Sequence, residues 1–136
     1  MGGGRGPKTK GDGYERELAS YLNVNVFSGA EQVARAIMSG SMGRGTGRGI
    51  GGSDLTGAPL LYVEAKRTEK LRPQWSISQA HVNARLRKTT DLPVVVSRKN
   101  RETTGESVVV MRLDDFVVLY RYALQCLGFI PKEQPE

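Results

Sequence analysis

One short apolar run constrains the fold of this chain more than any other feature. Residues 60–66 read Leu-Leu-Tyr-Val-Glu-Ala-Lys and follow the turn-forming sequence Gly-Ala-Pro, which predicts a β-strand opened by a turn. Side chains alternate between the two faces of a strand. We therefore expect one face to join a core, through Leu61, Val63 and Ala65. The opposite face carries Tyr62, Glu64 and Lys66.

Apolar periodicity predicts three helices around this strand. Residues 12–22 have one apolar helical face, and Asp12 is a candidate N-cap. The capping-box sequence Ser-Ile-Ser-Gln at 76–79 predicts a second helix that ends near Lys88. A third helix should follow Asp114-Asp115, with an apolar stripe that we expect to lie largely in the core. That stripe comprises Phe116, Leu119, Tyr120, Ala123, Leu124 and Leu127.

Two further strands are predicted at residues 92–97 and 107–113, which are rich in valine. The basic segment 98–106 joins them, and a hairpin is the simplest pairing. Residues 24–38 fit both helix and strand patterns, so their structure is left open. The expected order is helix, two or three strands, helix, two strands, helix. This order predicts an α/β fold, with a central mixed β-sheet flanked by helices.

The size and charge of the chain favour one domain that binds a polyanion. Its 136 residues are 38% hydrophobic, and we expect a single domain over residues 12–130, between a flexible basic arm at 1–11 and a tail at 131–136. A net charge of +6 favours nucleic acid as the partner. The sequence shows no signal peptide and no apolar stretch of transmembrane length, so we expect a cytoplasmic protein without a membrane partner.

The acidic residues near the first strand suit phosphodiester chemistry. Asp54 precedes a turn at Thr56-Gly57, so the chain can fold back and bring its carboxylate towards Glu64. Two close carboxylates repel unless a cation lies between them, and Mg²⁺ prefers oxygen ligands; Mn²⁺ can substitute for it. Lys66 would orient the attacking water or stabilise the phosphate. The alternative is a solvated strand face and a turn-forming aspartate, which spacing alone favours.

Two other features bear on this site. Glu15 lies at the edge of the apolar face of the first helix, where it can reach the site if that helix packs against the sheet. Residues 40–52 contain seven glycines with Arg44 and Arg48 interleaved, which predicts a flexible basic loop that closes on the DNA backbone. The alternatives are an ordinary helical glutamate and a disordered linker. The chain has one cysteine, Cys126, and one histidine, His81, which excludes a His/Cys metal site.

Taken together, these residues resemble the PD-(D/E)xK nuclease superfamily. The matching segments are Gly-Tyr-Glu-Arg-Glu-Leu at 13–18, Asp54, and Glu-Ala-Lys at 64–66. Within the superfamily the chain is similar to the archaeal-type Holliday-junction resolvases, including relatives carried by phages and viruses. The resemblance implies a restriction-endonuclease-like core. It also implies a catalytic set of Glu15, Asp54, Glu64 and Lys66, of which the three carboxylates bind the metal.

The resemblance further implies a DNA-binding surface and a homodimer. Arg16 matches a basic residue that the family uses for DNA or catalysis, and Arg35 and Ser41 resemble its strand arginine and its Ser/Gly-rich loop. Further expected DNA contacts are Arg44, Arg48, Arg67, Lys70 and Arg72. Family members act as homodimers that present two metal sites to opposite strands of a four-way junction. One departure is Ser53, which precedes Asp54 where the family motif has proline.

The sequence is therefore interpreted as a Mg²⁺-dependent, structure-selective DNA endonuclease that resolves four-way junctions. One alternative is a nuclease of the same superfamily that acts on flaps, ends or duplex DNA. Another is a non-catalytic nucleic-acid-binding protein whose acidic residues are incidental. Trp75 and the tyrosines are interpreted as packing residues rather than base-stacking ones. If a phage or virus encodes the chain, the cytoplasm is that of the host.

Overall fold

The computed structural model of the chain describes residues 7–37 and 53–133, with side chains from residue 13 onward. Its described helices are α1 (Pro7–Asn25), α2 (Pro73–Leu86) and α3 (Leu113–Leu127). Its strands are β1 (Ala34–Arg35), β2 (Leu55–Thr56), β3 (Leu61–Arg67), β4 (Leu92–Arg98) and β5 (Val108–Val110), and a short 3₁₀ helix (Thr104–Glu106) precedes β5. No helix in these ranges has the length and apolar character needed to cross a membrane.

The strands form a mixed three-stranded sheet in the order β3-β4-β5. β3 and β4 are parallel, with Glu64 opposite Val95, and α2 makes the crossover between them. β4 and β5 are antiparallel, as the hairpin prediction requires. β1 and β2 form a separate antiparallel pair, in which Arg35 lies opposite Leu55. The expected element order, α-β-β-β-α-β-β-α, is confirmed.

The two faces of the sheet pack against different helices. α1 covers the face that carries Val63 and Val94, with Leu18 in the same apolar cluster. α2 covers the opposite face, where Ile77 and Ala80 pack against Val95. The alternation predicted for β3 is confirmed, since Leu61 and Ala65 pack against the α1 cluster. The second face is not open to solvent, however, and it buries Tyr62 and Glu64.

All three described helices begin earlier than the sequence predicts, and α3 begins at Leu113 rather than after Asp114-Asp115. α1 begins at Pro7 instead of Asp12, so residues 7–11 of the expected flexible arm are helical. α2 begins at Pro73, not at the predicted capping box. A proline fits the first helical position because its missing N–H would have no partner there. Ser76 therefore lies inside the helix, where its N–H donates to the Arg72 carbonyl.

The prediction that α3 is largely core is wrong. None of its residues is buried, and Phe116 and Tyr120 stack on each other while about half exposed. Leu119 does line an apolar groove of about 260 Å³, together with residues of α1 and β5 such as Leu22 and Val109. An apolar stripe predicts that a helix will be covered but does not specify by what. Within the described chain, α3 packs extensively against no other element.

Candidate active site

Asp54 is held against β3 by main-chain hydrogen bonds. Its N–H donates to the Val63 carbonyl at 2.8 Å, and its Oδ2 accepts the Ala65 N–H at 2.8 Å. The carboxylate thus binds the backbone of the residue between Glu64 and Lys66. The chain folds back after Asp54, and the hydrogen bonds establish the register that the sequence leaves undetermined.

Two small residues make this approach possible. The Ser53 hydroxyl lies 3.0 Å from the Val63 carbonyl and 3.1 Å from the Val63 N–H, so it joins the edge of β3. Gly57 has φ +78°, and a Cβ at this position would lie 2.1 Å from the Gln32 carbonyl oxygen. Glycine is therefore required at the turn. Sequence reasoning noted Ser53 only as a departure from a family motif and did not assign it this contact.

Glu64 is buried under α2, with 7% of its surface exposed. Asn83 of α2 donates from Nδ2 to Glu64 Oε1 at 2.7 Å. Burying a carboxylate is costly unless hydrogen bonds or charges compensate, and the amide of Asn83 also orients it. Sequence reasoning missed Asn83. The signal in the sequence was its position: Asn83 is an amide three residues after Ala80 and directly before Ala84, and both alanines are buried.

Tyr62 shares the covered face of β3 with Glu64. Burial raises the pKa of its phenol, and the negative charges of Glu64 and Asp54 raise it further. The phenol is therefore protonated over the whole physiological pH range and can serve as a hydrogen-bond donor. The two carboxylates also lie close enough to one phenol to act on it electrostatically. Sequence reasoning placed Tyr62 on this face without giving it a role.

Glu15 is connected to Asp54 through β1. It is 1% exposed, and Arg35 Nε donates to its Oε1 at 3.3 Å. Ala36, the residue that follows β1, donates its N–H to the Asp54 carbonyl at 2.9 Å. Arg35, predicted to contact DNA, thus lies against the Glu15 carboxylate with 23% of its side chain exposed. This ion pair compensates the burial of Glu15.

The donor chemistry of the site fits a hard divalent cation only in part. Among the described residues, no three Asp, Glu, His or Cys side chains are grouped so that they could hold a metal together. The ligand roles of Glu15, Asp54 and Glu64 therefore all stay predictions. Asp54 and Glu64 are oriented by Ala65 and Asn83 and supply the carboxylate oxygens that Mg²⁺ prefers. Mg²⁺ is commonly held by one or two carboxylates together with water and substrate phosphate.

Lys66 opens onto a basic cleft beside these carboxylates. The cleft has a volume of about 360 Å³ and includes Arg67, Lys70 and Arg72, which agrees with their expected clustering. Arg16 lies elsewhere, on the exposed side of α1, where it lines a second pocket of about 500 Å³ together with Arg35. The other three predicted DNA contacts, Ser41, Arg44 and Arg48, lie outside the described residues.

Comparisons of this sequence with protein-family models, with curated proteins and with solved structures find no match. The geometry described above is therefore the basis for a functional proposal.

Proposed function

We propose that this chain is a Mg²⁺-dependent endodeoxyribonuclease of the PD-(D/E)xK type, with a restriction-endonuclease-like core, and that it resolves four-way DNA junctions. The observation that carries the proposal is the Asp54 carboxylate on the Ala65 N–H, between Glu64 and Lys66. The carboxylate of Glu64 and the ammonium of Lys66 therefore belong to β3, and the carboxylate of Asp54 belongs to the segment hydrogen-bonded to it. Carboxylates and an ammonium are the groups expected for metal-assisted phosphodiester hydrolysis.

In the proposed mechanism, Asp54 and Glu64 hold the metal and Lys66 acts on the phosphate. Asp54 and Glu64 would hold Mg²⁺, or Mn²⁺ in its place, which would lower the pKa of the attacking water and neutralise charge on a phosphate oxygen. Asn83 and the Ala65 N–H keep the carboxylates in position. Lys66 is a compact charge next to the Asp54 anchor, and it stabilises the negative charge that develops on the phosphoryl oxygens.

The substrate class follows from the distribution of charge. The cleft beside Lys66 carries three further cations, Arg67, Lys70 and Arg72, and such a row binds phosphates without reading bases. Recognition of DNA shape, as at a junction, agrees better with this surface than recognition of sequence. A nuclease that acts on flaps or ends would use the same residues.

We further propose that the protein is a homodimer that uses the apolar surface of β5 and α3. The exposed apolar side chains of this surface are Val108, Val109, Leu113, Phe116, Val117, Tyr120 and Leu127. A second copy supplies the cover that α3 lacks and a second site for the opposite DNA strand.

Cleavage of synthetic DNA tests the proposal. Purified protein with Mg²⁺ should nick a four-way junction symmetrically, and faster than a flap, a linear duplex or a single strand. Asp54→Asn should reduce cleavage at least 100-fold while leaving junction binding within about threefold. Asp91→Asn, which changes an exposed carboxylate, is the matched control and should cleave normally. Full activity in Asp54→Asn would refute the assignment, and salt-sensitive binding without cleavage of any substrate would favour the non-catalytic alternative.

A further inference from the structure

Trp75 is on the protein surface, in contrast to the packing role expected for it. It lies in the first turn of α2 and is 48% exposed. The guanidinium of Arg72 lies over its indole ring, 4.9 Å from the ring centroid. Arg72 is the N-cap residue of α2, but its side chain makes no capping hydrogen bond. Arg72 and Trp75 together form a flat stack, named here the Arg72–Trp75 platform.

The platform forms one wall of the basic cleft that begins at Lys66. The cleft also includes Arg67, Lys70 and Leu71. The Nε of Arg67 is shielded from solvent and has no hydrogen-bond partner among the described residues. A buried donor without an acceptor is costly, and the same arginine lines the cleft. The cleft therefore combines an aromatic surface with cationic donors.

We infer that this cleft binds an unpaired nucleotide of DNA, with its base stacked on the Arg72–Trp75 platform and its phosphates on Arg67 and Lys70. Aromatic rings and guanidinium planes both stack on bases, whatever the base is. A base in an intact duplex has both faces covered by its neighbours, so the platform is accessible only to an unpaired or unstacked base. Basic side chains along the cleft would follow the backbone.

This inference deepens the proposed nuclease function. The delivery of a phosphate to the active site, described next, rests on that function. Lys66 belongs both to the cleft and to the candidate active site, so a strand held in the cleft would deliver its adjoining phosphate to Asp54 and Glu64. Bases are more easily unstacked at a branch point than within a continuous duplex, because fewer stacking contacts are lost. The platform would thus favour branched DNA without reading its sequence.

Fluorescence provides a direct measurement, since Trp75 is the only tryptophan in the chain. Titration of the full chain with oligothymidylate, in EDTA and without Mg²⁺, should quench the emission of Trp75. A fully paired duplex of equal length and equal ionic strength should bind with much weaker quenching. Equal quenching by both DNAs, or none by oligothymidylate at saturation, would overturn the inference. Neither outcome depends on cleavage.

Matched variants then separate stacking from charge, using the anisotropy of a labelled oligothymidylate. Trp75→Ala should weaken its binding about 5- to 140-fold, the range expected for loss of one stacked base, and Trp75→Phe should recover most of the affinity. Arg72→Lys keeps the charge but removes the planar group, so it should also weaken binding. Phe129→Ala, which removes another exposed aromatic, should leave binding within about twofold.

The two proposals fail in different ways. Quenching by oligothymidylate in a protein that cleaves no DNA would support the platform and remove the nuclease assignment. If the protein cleaves junctions but its Trp75→Ala and Phe129→Ala variants bind oligothymidylate equally well, the platform is refuted and the nuclease assignment stands.

Discussion

The hydrogen bond between Asn83 and Glu64 makes the most quantitative prediction. The carboxylate is 7% exposed, so solvent screens it little, and Asn83 approaches it at 2.7 Å. A hydrogen bond to a charged group contributes about 1.5–3 kcal/mol. A chain of this size loses about 3–5 °C of Tm for each kcal/mol. Asn83→Ala should therefore lower Tm by roughly 5–15 °C in EDTA.

Asn83→Asp sharpens this prediction because it places a second carboxylate against Glu64. Repulsion between the two should destabilise this variant more than Asn83→Ala in EDTA, and Mg²⁺ should restore more stability to it than to the wild type. Thermal unfolding followed by circular dichroism measures both effects. Asn25→Ala is the control, because its amide makes a 2.9 Å hydrogen bond on an exposed surface. If Asn83→Ala and Asn25→Ala unfold at the same temperature, the reasoning is refuted.

Three further predictions follow from single contacts. Gly57→Ala should lower Tm several times more than Gly29→Ala. Both glycines have positive φ, but only at Gly57 would an added Cβ contact the backbone. Equal losses of Tm in the two variants would contradict this prediction. Burial holds the pKa of His81 below 6.5, and the positive charge of Arg112 lowers it further. As the pH falls through 6.5 the unfolded chain binds more protons than the folded one, so the stability present above that pH should be lost below it. His81→Gln should reduce this pH dependence of Tm. Phe116→Glu should convert the proposed dimer to a monomer in sedimentation experiments. Val26→Glu, which changes another exposed apolar residue, should not. A wild-type monomer would refute the proposed interface.

Local sequence was sufficient for the element order and for the faces of β3, although it left residues 24–38 open. Alternation along residues 60–66 correctly separated Val63 from Glu64, since the side-chain period of a strand is independent of its neighbours. The element order was also correct, because apolar periodicity and turn residues act over a few positions. The start of α2 was wrong, since Ser76 has the form of a cap while Pro73 provides an equally good helix start nearby.

The partners of each side chain were decided by tertiary structure. Sequence alone proposed Asp54, Glu64 and Lys66 as candidates for phosphodiester chemistry, because a candidate is chosen by its functional group. Only the fold places Asp54 on the Ala65 N–H, Asn83 on Glu64 and Arg35 on Glu15. Each of these contacts joins segments at least eleven residues apart, so its energy depends on how whole elements pack. The exposure of α3 and of Trp75 has the same origin: periodicity shows which residues share a face, and packing determines what covers it.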